Sequence, residues 1–207
     1  SLQFDRVRDE IPTEVGLLSK LTSVELRENS LFGSIPSEIE MLSSLEFFDV
    51  EFCSLSGTIP SGLANLTSLS ILNLGSNKLS GTVPEFPPTS VMEILNLNSN
   101  HLTGSIASSL ANLTSLRILD LGLNFLSGEL PEFSPFSVME NLDVRSNRVL
   151  TGTIPSSLVA LTTLRSLNMR DNALSGTLPE FPSVSVMERF VANKNLLVGP
   201  IPQSLTN

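Results

Sequence analysis

The sequence predicts a right-handed solenoid of short repeats, with a parallel β-sheet along one face and irregular segments along the other. A phrase returns along the chain with small changes, as in "VELRENSLFGSIP" at 24–36, "LNLGSNKLSGTVP" at 72–84 and "SLNMRDNALSGTLP" at 166–179. The spacing is regular, because the glycine of this phrase recurs in steps of 23 or 24 residues. Repeats of this length stack in one dimension, so that each turn contacts only its neighbours.

The glycines set the number of turns. A degenerate copy with Asp9 and Pro12 in the glycine and proline slots precedes the first of them. We therefore expect one domain over 1–207, with about eight full repeats and a partial repeat at each end. Since the chain begins and stops within a repeat, we also expect it to be part of a longer protein. The repeat glycines are Gly33, Gly57, Gly81, Gly104, Gly128, Gly152, Gly176 and Gly199.

Each repeat begins with a strand. Triplets such as "LNL" alternate with a period of two, which predicts a strand whose leucines point inward. An asparagine follows, and a buried amide there can donate to and accept from backbone groups that the turn leaves unpaired. Cys53 occupies this slot in "FDVEFCSLSG", where we expect a buried structural thiol. The asparagine row is Asn77, Asn100, Asn124, Asn147, Asn172 and Asn195.

Two kinds of segment return the chain to the next strand. Helical returns such as "PSGLANLTSL" at 60–69 space apolar residues by three, as a 3₁₀ or short α turn does. PEF returns ("PEFPPTSVME" at 84–93, "PEFSPFSVME" at 131–140 and "PEFPSVSVME" at 179–188) are broken by proline, and we expect no helix in them. They are one residue shorter, which explains the 23-residue steps. After the second PEF return, "NRVLTG" at 147–152 carries one extra residue, which predicts a bulge and restores the 24-residue step.

The repeat resembles the plant-specific leucine-rich repeat, LxxLxLxxNxLxGxIPxxLxxLxx, over essentially the whole chain. This resemblance implies an α/β-type horseshoe with a parallel sheet on its concave face. It also implies an extracellular or cell-surface location, and a role like that of plant and algal receptor-like ectodomains, which recognise peptides, small hormones, receptors or wall enzymes. The sequence departs from that class in having no paired cysteines at either end, and no kinase or membrane segment.

Side chains between the inward leucines should form the concave face, and we expect a partner to bind there. Two features of this face stand out. Four apolar residues on successive strands would form an exposed stripe, and exposed apolar surface of this kind marks contact sites. Charge is also polarised, with 18 acidic and six basic residues in 1–144 against three and six in 145–207. The predicted partner-binding residues are Phe47, Asp49, Glu51, Phe52, Ile71, Asn73, Ile94, Asn96, Ile118, Asp120, Leu123, Arg145 and Arg170.

The charge split suggests how a ligand would lie. An extended peptide across the strands would place its basic end near Glu25, Asp49 and Glu51, and its carboxylate near Arg145 and Arg170. Some peptide-binding members of the resembling class hold a ligand carboxylate with two arginines on one rung. Here the two arginines lie on adjacent rungs, and Asp143 and Asp171 are placed to neutralise them.

The sequence offers little for chemistry or for other partners. His101 is the only histidine, and the serines occupy repeat slots without a base, so we expect neither an enzyme nor a cofactor or metal site. A formal charge of −9 argues against nucleic acid and anionic lipid as partners, and no apolar run is long enough to span a membrane. "NLT" at Asn65 and Asn112 satisfies the N-glycosylation rule, which would place sugar on the convex side.

Two alternatives remain open. The first is a structural or adhesion subunit that docks end to end with flanking domains or other subunits, because an uncapped solenoid exposes core at its ends. The second is ice binding, because hydroxyl side chains on both sides of the repeat glycine would stack in two parallel rows. Glu129 interrupts these rows, whose members are Ser56/Thr58, Ser80/Thr82, Thr103/Ser105, Thr151/Thr153 and Ser175/Thr177.

Overall fold

The computed structural model describes residues 7–205; the outermost parts of the two predicted partial repeats, 1–6 and 206–207, lie outside the described residues. Most strands span only three residues, as expected for a chain that turns every 23 or 24 residues. In chain order the strands are β1 (Ser23–Glu25), β2 (Phe47–Asp49), β3 (Ile71–Asn73), β4 (Ser80–Gly81), β5 (Ile94–Asn96), β6 (His101–Ser105), β7 (Ile118–Asp120), β8 (Phe125–Glu129), β9 (Asn141–Asp143), β10 (Val149–Thr151), β11 (Ser166–Asn168) and β12 (Arg189–Val191).

Eight of these strands form the predicted parallel sheet, in the order β1-β2-β3-β5-β7-β9-β11-β12. Register is maintained across the sheet, so that Leu72 in β3 pairs with Leu95 in β5 and Leu95 with Leu119 in β7. These middle residues point inward and are at most 1% exposed. The first and third residues of the strands form the other surface, which we call the concave face. The prediction of a solenoid with a parallel sheet is confirmed.

The asparagine row is hydrogen-bonded as predicted, and its members are buried except Asn195, which is partly exposed. The Nδ2 of Asn124 donates to the Leu97 carbonyl one turn earlier at 3.0 Å, and to the Leu121 carbonyl of its own turn at 3.2 Å. Its Oδ1 accepts from the backbone N–H of Leu102 at 3.0 Å. One amide thus satisfies three backbone groups that the turn would otherwise leave unpaired. Cys53 fills the slot as a half-buried thiol that donates to the Leu26 carbonyl at 3.4 Å.

A second parallel sheet, the lateral sheet, runs along the glycine phrases in the order β4-β6-β8-β10 and was not predicted. Its register is staggered, because the residue after one glycine lies opposite the residue before the next, as in Thr58 and Ser80. A hydroxyl that precedes a glycine therefore faces the hydroxyl that follows the glycine of the preceding turn, so the two predicted rows are offset by one turn. The stagger also explains the glycine: a Cβ at Gly81, which has φ +79°, would lie 3.0 Å from the Cγ2 of Thr58. The second sheet forms because the strained turn leaves these backbone groups extended and facing each other.

The two kinds of return differ as expected. The structure has no helix within the three PEF returns. Their buried phenylalanines, Phe86, Phe133 and Phe181, complete the core instead. The helical returns contain 3₁₀ helices at Thr13–Leu17, Ser37–Met41, Ser61–Asn65 and Gln203–Leu205, and single α-helical turns at Ser108–Ala111 and Ser156–Val159.

Each PEF glutamate binds the helical return of the next turn. The Glu85 carboxylate accepts from the hydroxyl of Ser109 at 2.5 Å, and Glu132 accepts from Ser157 in the same way. In the third copy, Glu180 accepts from the backbone N–H of Ser204 at 3.2 Å. A carboxylate at the start of a helical turn satisfies N–H and hydroxyl donors there. We call this contact the PEF clasp.

The predicted bulge lies at Arg148. This residue has φ +51° and follows Ser146, which has φ +55° and occupies the ordinary left-handed position of the turn. The backbone N–H of Val149 turns back to the Asn147 carbonyl at 2.6 Å. The extra residue is thereby absorbed before β10, and Leu150 returns to the core fully buried.

Candidate functional site

The apolar stripe is continuous on the concave face. Phe47, Ile71, Ile94 and Ile118 are the first residues of β2, β3, β5 and β7, and they face one another as direct partners across the sheet. Each is partly exposed, whereas the leucine or phenylalanine that follows it is buried. The stripe is therefore distinct from the core, and it crosses four rungs about 4.8 Å apart.

A polar ladder lies beside the stripe in its N-terminal part. Glu51 is 7% exposed and pairs with Arg27, its Oε2 lying 3.0 Å from Nη1. The same carboxylate accepts from the Nδ2 of Asn73 at 3.2 Å and from that of Asn96 at 3.1 Å. Gly75 makes this reach feasible, because a Cβ there would lie 2.9 Å from the Asn96 amide nitrogen. Glu51 is thus a buried organiser of the ladder rather than an exposed charge.

The carboxylate of Asp49 is also buried and hydrogen-bonded within the protein. It is 8% exposed, and its Oδ1 accepts from the backbone N–H of Glu51 at 2.9 Å. Glu25 is exposed at this end of the face, and it accepts from the Ser23 hydroxyl at 2.9 Å. Of the three acids expected to meet a basic ligand end, only Glu25 remains accessible.

The ladder continues to Asp120. Asn98 donates to Asn96 at 2.8 Å and to the Oδ2 of Asp120 at 3.1 Å, while the backbone N–H of Gly122 donates to its Oδ1 at 3.0 Å. Burial raises the pKa of the Asp120 carboxyl, and the charge of Asp143 on the next rung raises it further against the opposing effect of these hydrogen bonds. The two aspartates are direct partners across β7 and β9.

Beyond Asp143 the face becomes basic. Asp143 forms an ion pair with Arg145 and accepts from the Nδ2 of Asn168 at 3.0 Å. Arg170 is exposed and takes part in none of the ion pairs formed within residues 7–205. Asp171 lies 3.8 Å from Arg148 and not beside Arg170. The two arginines predicted to act together therefore differ: one is neutralised and the other is available.

Phe52 and Leu123 lie at the edge of the concave face, in the left-handed position of their turns. They are 49% and 44% exposed and have φ values of +55° and +57°. A large apolar residue is unfavourable in this conformation and gains nothing from the core here. The guanidinium of Arg27 lies 5.3 Å from the ring centroid of Phe52, which joins this side chain to the polar ladder. Leu123 lies three rungs further toward the C-terminal end of the stack, so the two side chains do not form one patch.

Chemistry-bearing groups are sparse in the described chain. Between residues 7 and 205, no group of three or more histidine, cysteine, aspartate or glutamate side chains is arranged to hold a metal ion. His101 lies on the lateral sheet, where its ring stacks on Phe125 at 6.0 Å. Burial raises the pKa of the Cys53 thiol, which disfavours the reactive thiolate. None of the helices described is both long and apolar enough to cross a membrane.

The sequence profile of the Leucine Rich Repeat family matches residues 44–66, 68–89, 92–113 and 163–184. The solved structure of a TDR receptor is 34% identical to the chain with a TM-score of 0.87, over 96% of this chain and 35% of that one. The protein is a plant-type leucine-rich repeat protein. Comparison with curated protein sequences finds no match.

Two further solved structures extend the likeness of this leucine-rich repeat protein. A plant ice-binding protein is 32% identical with a TM-score of 0.82, over 96% of this chain and 64% of that one. The Arabidopsis receptor kinase HAESA, in complex with the peptide hormone IDA and the co-receptor SERK1, is 28% identical with a TM-score of 0.76, over 98% and 38% of the two chains. The leucine-rich repeat protein therefore spans between about a third and two thirds of the length of these structures.

Several residues of the leucine-rich repeat protein were not singled out by sequence reasoning. Arg27 and Asn98 hold the polar ladder together, and each lies two residues beyond the end of its strand. A check for charge partners on adjacent rungs would have found Arg27. Phe125 and Phe136, which are 57% and 78% exposed, lie on the lateral sheet and in a PEF return. The repeat consensus does not indicate these two residues, because it specifies no residue type at either position.

Proposed function

We propose that the protein is a non-catalytic recognition module that binds an extended peptide on its concave face, outside the cell or at its surface. One observation carries this proposal: the apolar stripe lies in register along four strands and is partly exposed, and other residues form the hydrophobic core. Protein surfaces that expose a contiguous apolar strip of this kind are contact sites.

The polar ladder supports a peptide as the ligand. The amides of Asn73, Asn96 and Asn98 are oriented by hydrogen bonds from one rung to the next, so a ligand meets a fixed row of donors and acceptors beside the stripe. Fixed amides suit the alternating N–H and C=O groups of an extended backbone, and they avoid the entropy cost of ordering side chains on binding. The stripe would then hold every second ligand side chain.

The basic end of the face suits the ligand's terminal carboxylate. Arg170 offers a planar fork of donors that matches a carboxylate, and no acidic partner within the described residues holds it in place. Arg145 is already paired with Asp143, so its contribution is to add positive potential rather than a direct bond. The relative HAESA is described in complex with a peptide hormone, which supports the same class of ligand for this protein.

Selection of binders from a random peptide library displayed on phage tests the proposal. Peptides selected on the wild-type protein should lose binding to Ile94→Asp, because a carboxylate in the stripe opposes burial of apolar ligand side chains. Val91→Asp is the matched control: it places the same charge on the same rung but in the PEF return, where Val91 is 42% exposed. Both variants should melt within a few degrees of the wild type.

Two results would contradict peptide recognition on this face. Equal loss of binding with both variants would place the site elsewhere. Unfolding of Ile94→Asp would show that the stripe belongs to the core, since a shift of one residue in strand register exchanges the two faces.

The lateral sheet supports ice binding as a second candidate function. Hydroxyls before the glycine donate to the glycine carbonyl of the preceding turn, as Ser80 does to Gly57 and Thr103 does to Gly81, each at 3.3 Å. The hydroxyl oxygens are therefore held in fixed positions beside the exposed residues Thr58, Thr82 and Ser105. A regular hydroxyl array of this kind can order water, and the plant ice-binding protein shares this fold.

Thermal hysteresis of the purified protein decides this second function. A measurable gap between freezing and melting points that Thr82→Tyr reduces and Val91→Asp leaves unchanged would support it, because only the first variant disturbs the lateral sheet. Absence of hysteresis in the wild type at millimolar concentration would reject ice binding, and it would leave peptide recognition unaffected.

A further inference from the structure

Eight exposed side chains form a row along the convex side, five residues after the residue that opens each return. Every member of this row, which we call the crest, is exposed. Its composition is uneven: both glycosylation sequons lie in it, and so does Phe136, which at 78% has the highest exposure of any large hydrophobic side chain in residues 7–205. In order the crest reads Leu17, Met41, Asn65, Thr89, Asn112, Phe136, Ala160 and Val184.

Asn112 and Phe136 are consecutive members of the crest on adjacent turns. Their backbones are tied together, because the N–H of Ser134 donates to the carbonyl of Ala111 at 3.0 Å. Phe136 is itself fixed by a hydrogen bond from its N–H to the Ser134 hydroxyl at 3.2 Å. The sequon threonine, Thr114, is exposed.

Resting on the extracellular location proposed above, we infer that Phe136 is the platform for an N-linked glycan on Asn112, packing against its first sugar units. Exposing a phenylalanine side chain to water is unfavourable in proportion to its exposed area. The described part of the chain leaves 78% of Phe136 exposed. The face of an aromatic ring carries partial negative charge. One face of a pyranose ring presents C–H groups of opposite polarity, so a sugar attached one rung away can cover the ring without leaving polar groups buried.

The chain contains its own control. Asn65 is the equivalent sequon two turns earlier, and its neighbour on the next turn of the crest is Thr89, which offers no ring. Asn65 borders a depression lined by Thr82, Glu85 and Ser105, in which the apolar residues Val83 and Pro84 are themselves buried and no aromatic ring is present. A glycan on Asn65 therefore lacks an apolar platform, although the backbone around the two sequons follows the same repeat.

The test uses protein secreted from a eukaryotic host, with single-sequon variants and enzymatic removal of the glycan. In Asn65→Gln, which keeps only the Asn112 glycan, deglycosylation should lower the melting temperature by about 2–4 °C, the shift expected for one modest contact in a domain of this size. In Asn65→Gln/Phe136→Thr the shift should disappear. In Asn112→Gln, which keeps only the Asn65 glycan, deglycosylation should leave the melting temperature unchanged.

A reciprocal variant completes the design. Thr89→Phe in the Asn112→Gln background gives Asn65 the neighbour that Asn112 has, and deglycosylation should then lower the melting temperature. Three results would overturn the inference: an unglycosylated Asn112 in the secreted protein, a deglycosylation shift that Phe136→Thr leaves intact, or no shift in Asn65→Gln at all. Peptide binding is not measured here, so failure of this inference and failure of the proposed function are distinguishable.

Discussion

Arg145 and Asp143, two residues apart on the same rung, form an ion pair, while Arg170 on the next rung has none within the described chain. We therefore predict that Arg170→Ala weakens binding of a peptide with a free C-terminal carboxylate more than Arg145→Ala does. Losing one charge-assisted hydrogen bond costs about 1.5–3 kcal/mol, or roughly 10- to 150-fold in affinity. Titration calorimetry with a library-selected peptide measures the difference.

The matched control for the arginines is Arg165→Ala. This residue is exposed and lies just before β11, where it pairs with Glu188 at 2.5 Å. It should leave affinity unchanged. A peptide amide should bind the wild type as weakly as the acid binds Arg170→Ala, and equal binding of acid and amide by the wild type would end the carboxylate hypothesis.

Asn124→Ala should lower the free energy of unfolding by about 1–3 kcal/mol, because it leaves buried backbone groups such as the N–H of Leu102 without a partner. Urea denaturation followed by circular dichroism measures this. Asn193→Ala, an exposed asparagine near the other end of the sheet, should change the midpoint little. Equal effects of the two substitutions would mean that the asparagine row is not a buried structural element.

Cys53→Asn should stabilise the protein by about 0.5–1.5 kcal/mol, the net contribution of one hydrogen bond. The thiol donates to Leu26 but is a poor acceptor, whereas in the equivalent slot the Oδ1 of Asn77 accepts from the backbone N–H of Leu55 at 3.0 Å. The backbone N–H of Leu31 meets the weakly accepting sulfur of Cys53, and the Oδ1 of an asparagine at position 53 would accept from it more strongly. A decrease in the urea midpoint relative to wild type would show that the first turns are too closely packed for the larger amide.

Asp120→Asn should raise stability at neutral pH. Because the folded-state pKa of Asp120 lies above its ordinary value of 3.8, the stability it contributes is fully present below that value and is lost as pH rises through the folded pKa. The asparagine removes this loss, and Asn73 and Asn96 show that an asparagine in this column accepts from the backbone two residues on. The gain over wild type should therefore shrink as the solution is acidified.

Unfolding midpoints from pH 3 to 8 give the measurement, with Asp171→Asn as the comparison at a carboxylate that is paired with Arg148. A gain that grows on acidification would reverse the sign and show that Asp120 is stabilised as the anion in the folded protein.

The repeat phrase was sufficient to predict most of the fold. Period-two triplets and the asparagine slot fix which residues point inward, and one extra residue in "NRVLTG" predicted the bulge that Arg148 forms. The lateral sheet was not predicted, because its strands run through the glycine phrases and these phrases show no apolar alternation. Its two-residue stagger depends on the backbone direction at a positive-φ glycine, which composition does not reveal.

The candidate site was predictable in position but not in charge state. The stripe from Phe47 to Ile118 follows directly from strand register. Which charges remain available depends on side-chain reach: Glu51 folds back to Arg27 across one rung, and Arg145 turns to Asp143 on its own rung. The spacing along the sequence predicts which residues lie on adjacent rungs. Which of these residues a charged side chain contacts depends on its rotamer and on free space, such as the space beside Gly75.

The PEF clasp makes two turns, rather than one, the natural unit of rearrangement in this protein. Each clasp joins a glutamate to a serine that only the following helical return supplies, as Glu132 does with Ser157. From Pro84 to Pro202, where the two kinds of return alternate, deleting one turn would separate a glutamate from its serine, whereas deleting a pair would restore every junction. Gene segments encoding two turns of this region, cut within the asparagine loops, should therefore recombine with less loss of stability than segments encoding one turn.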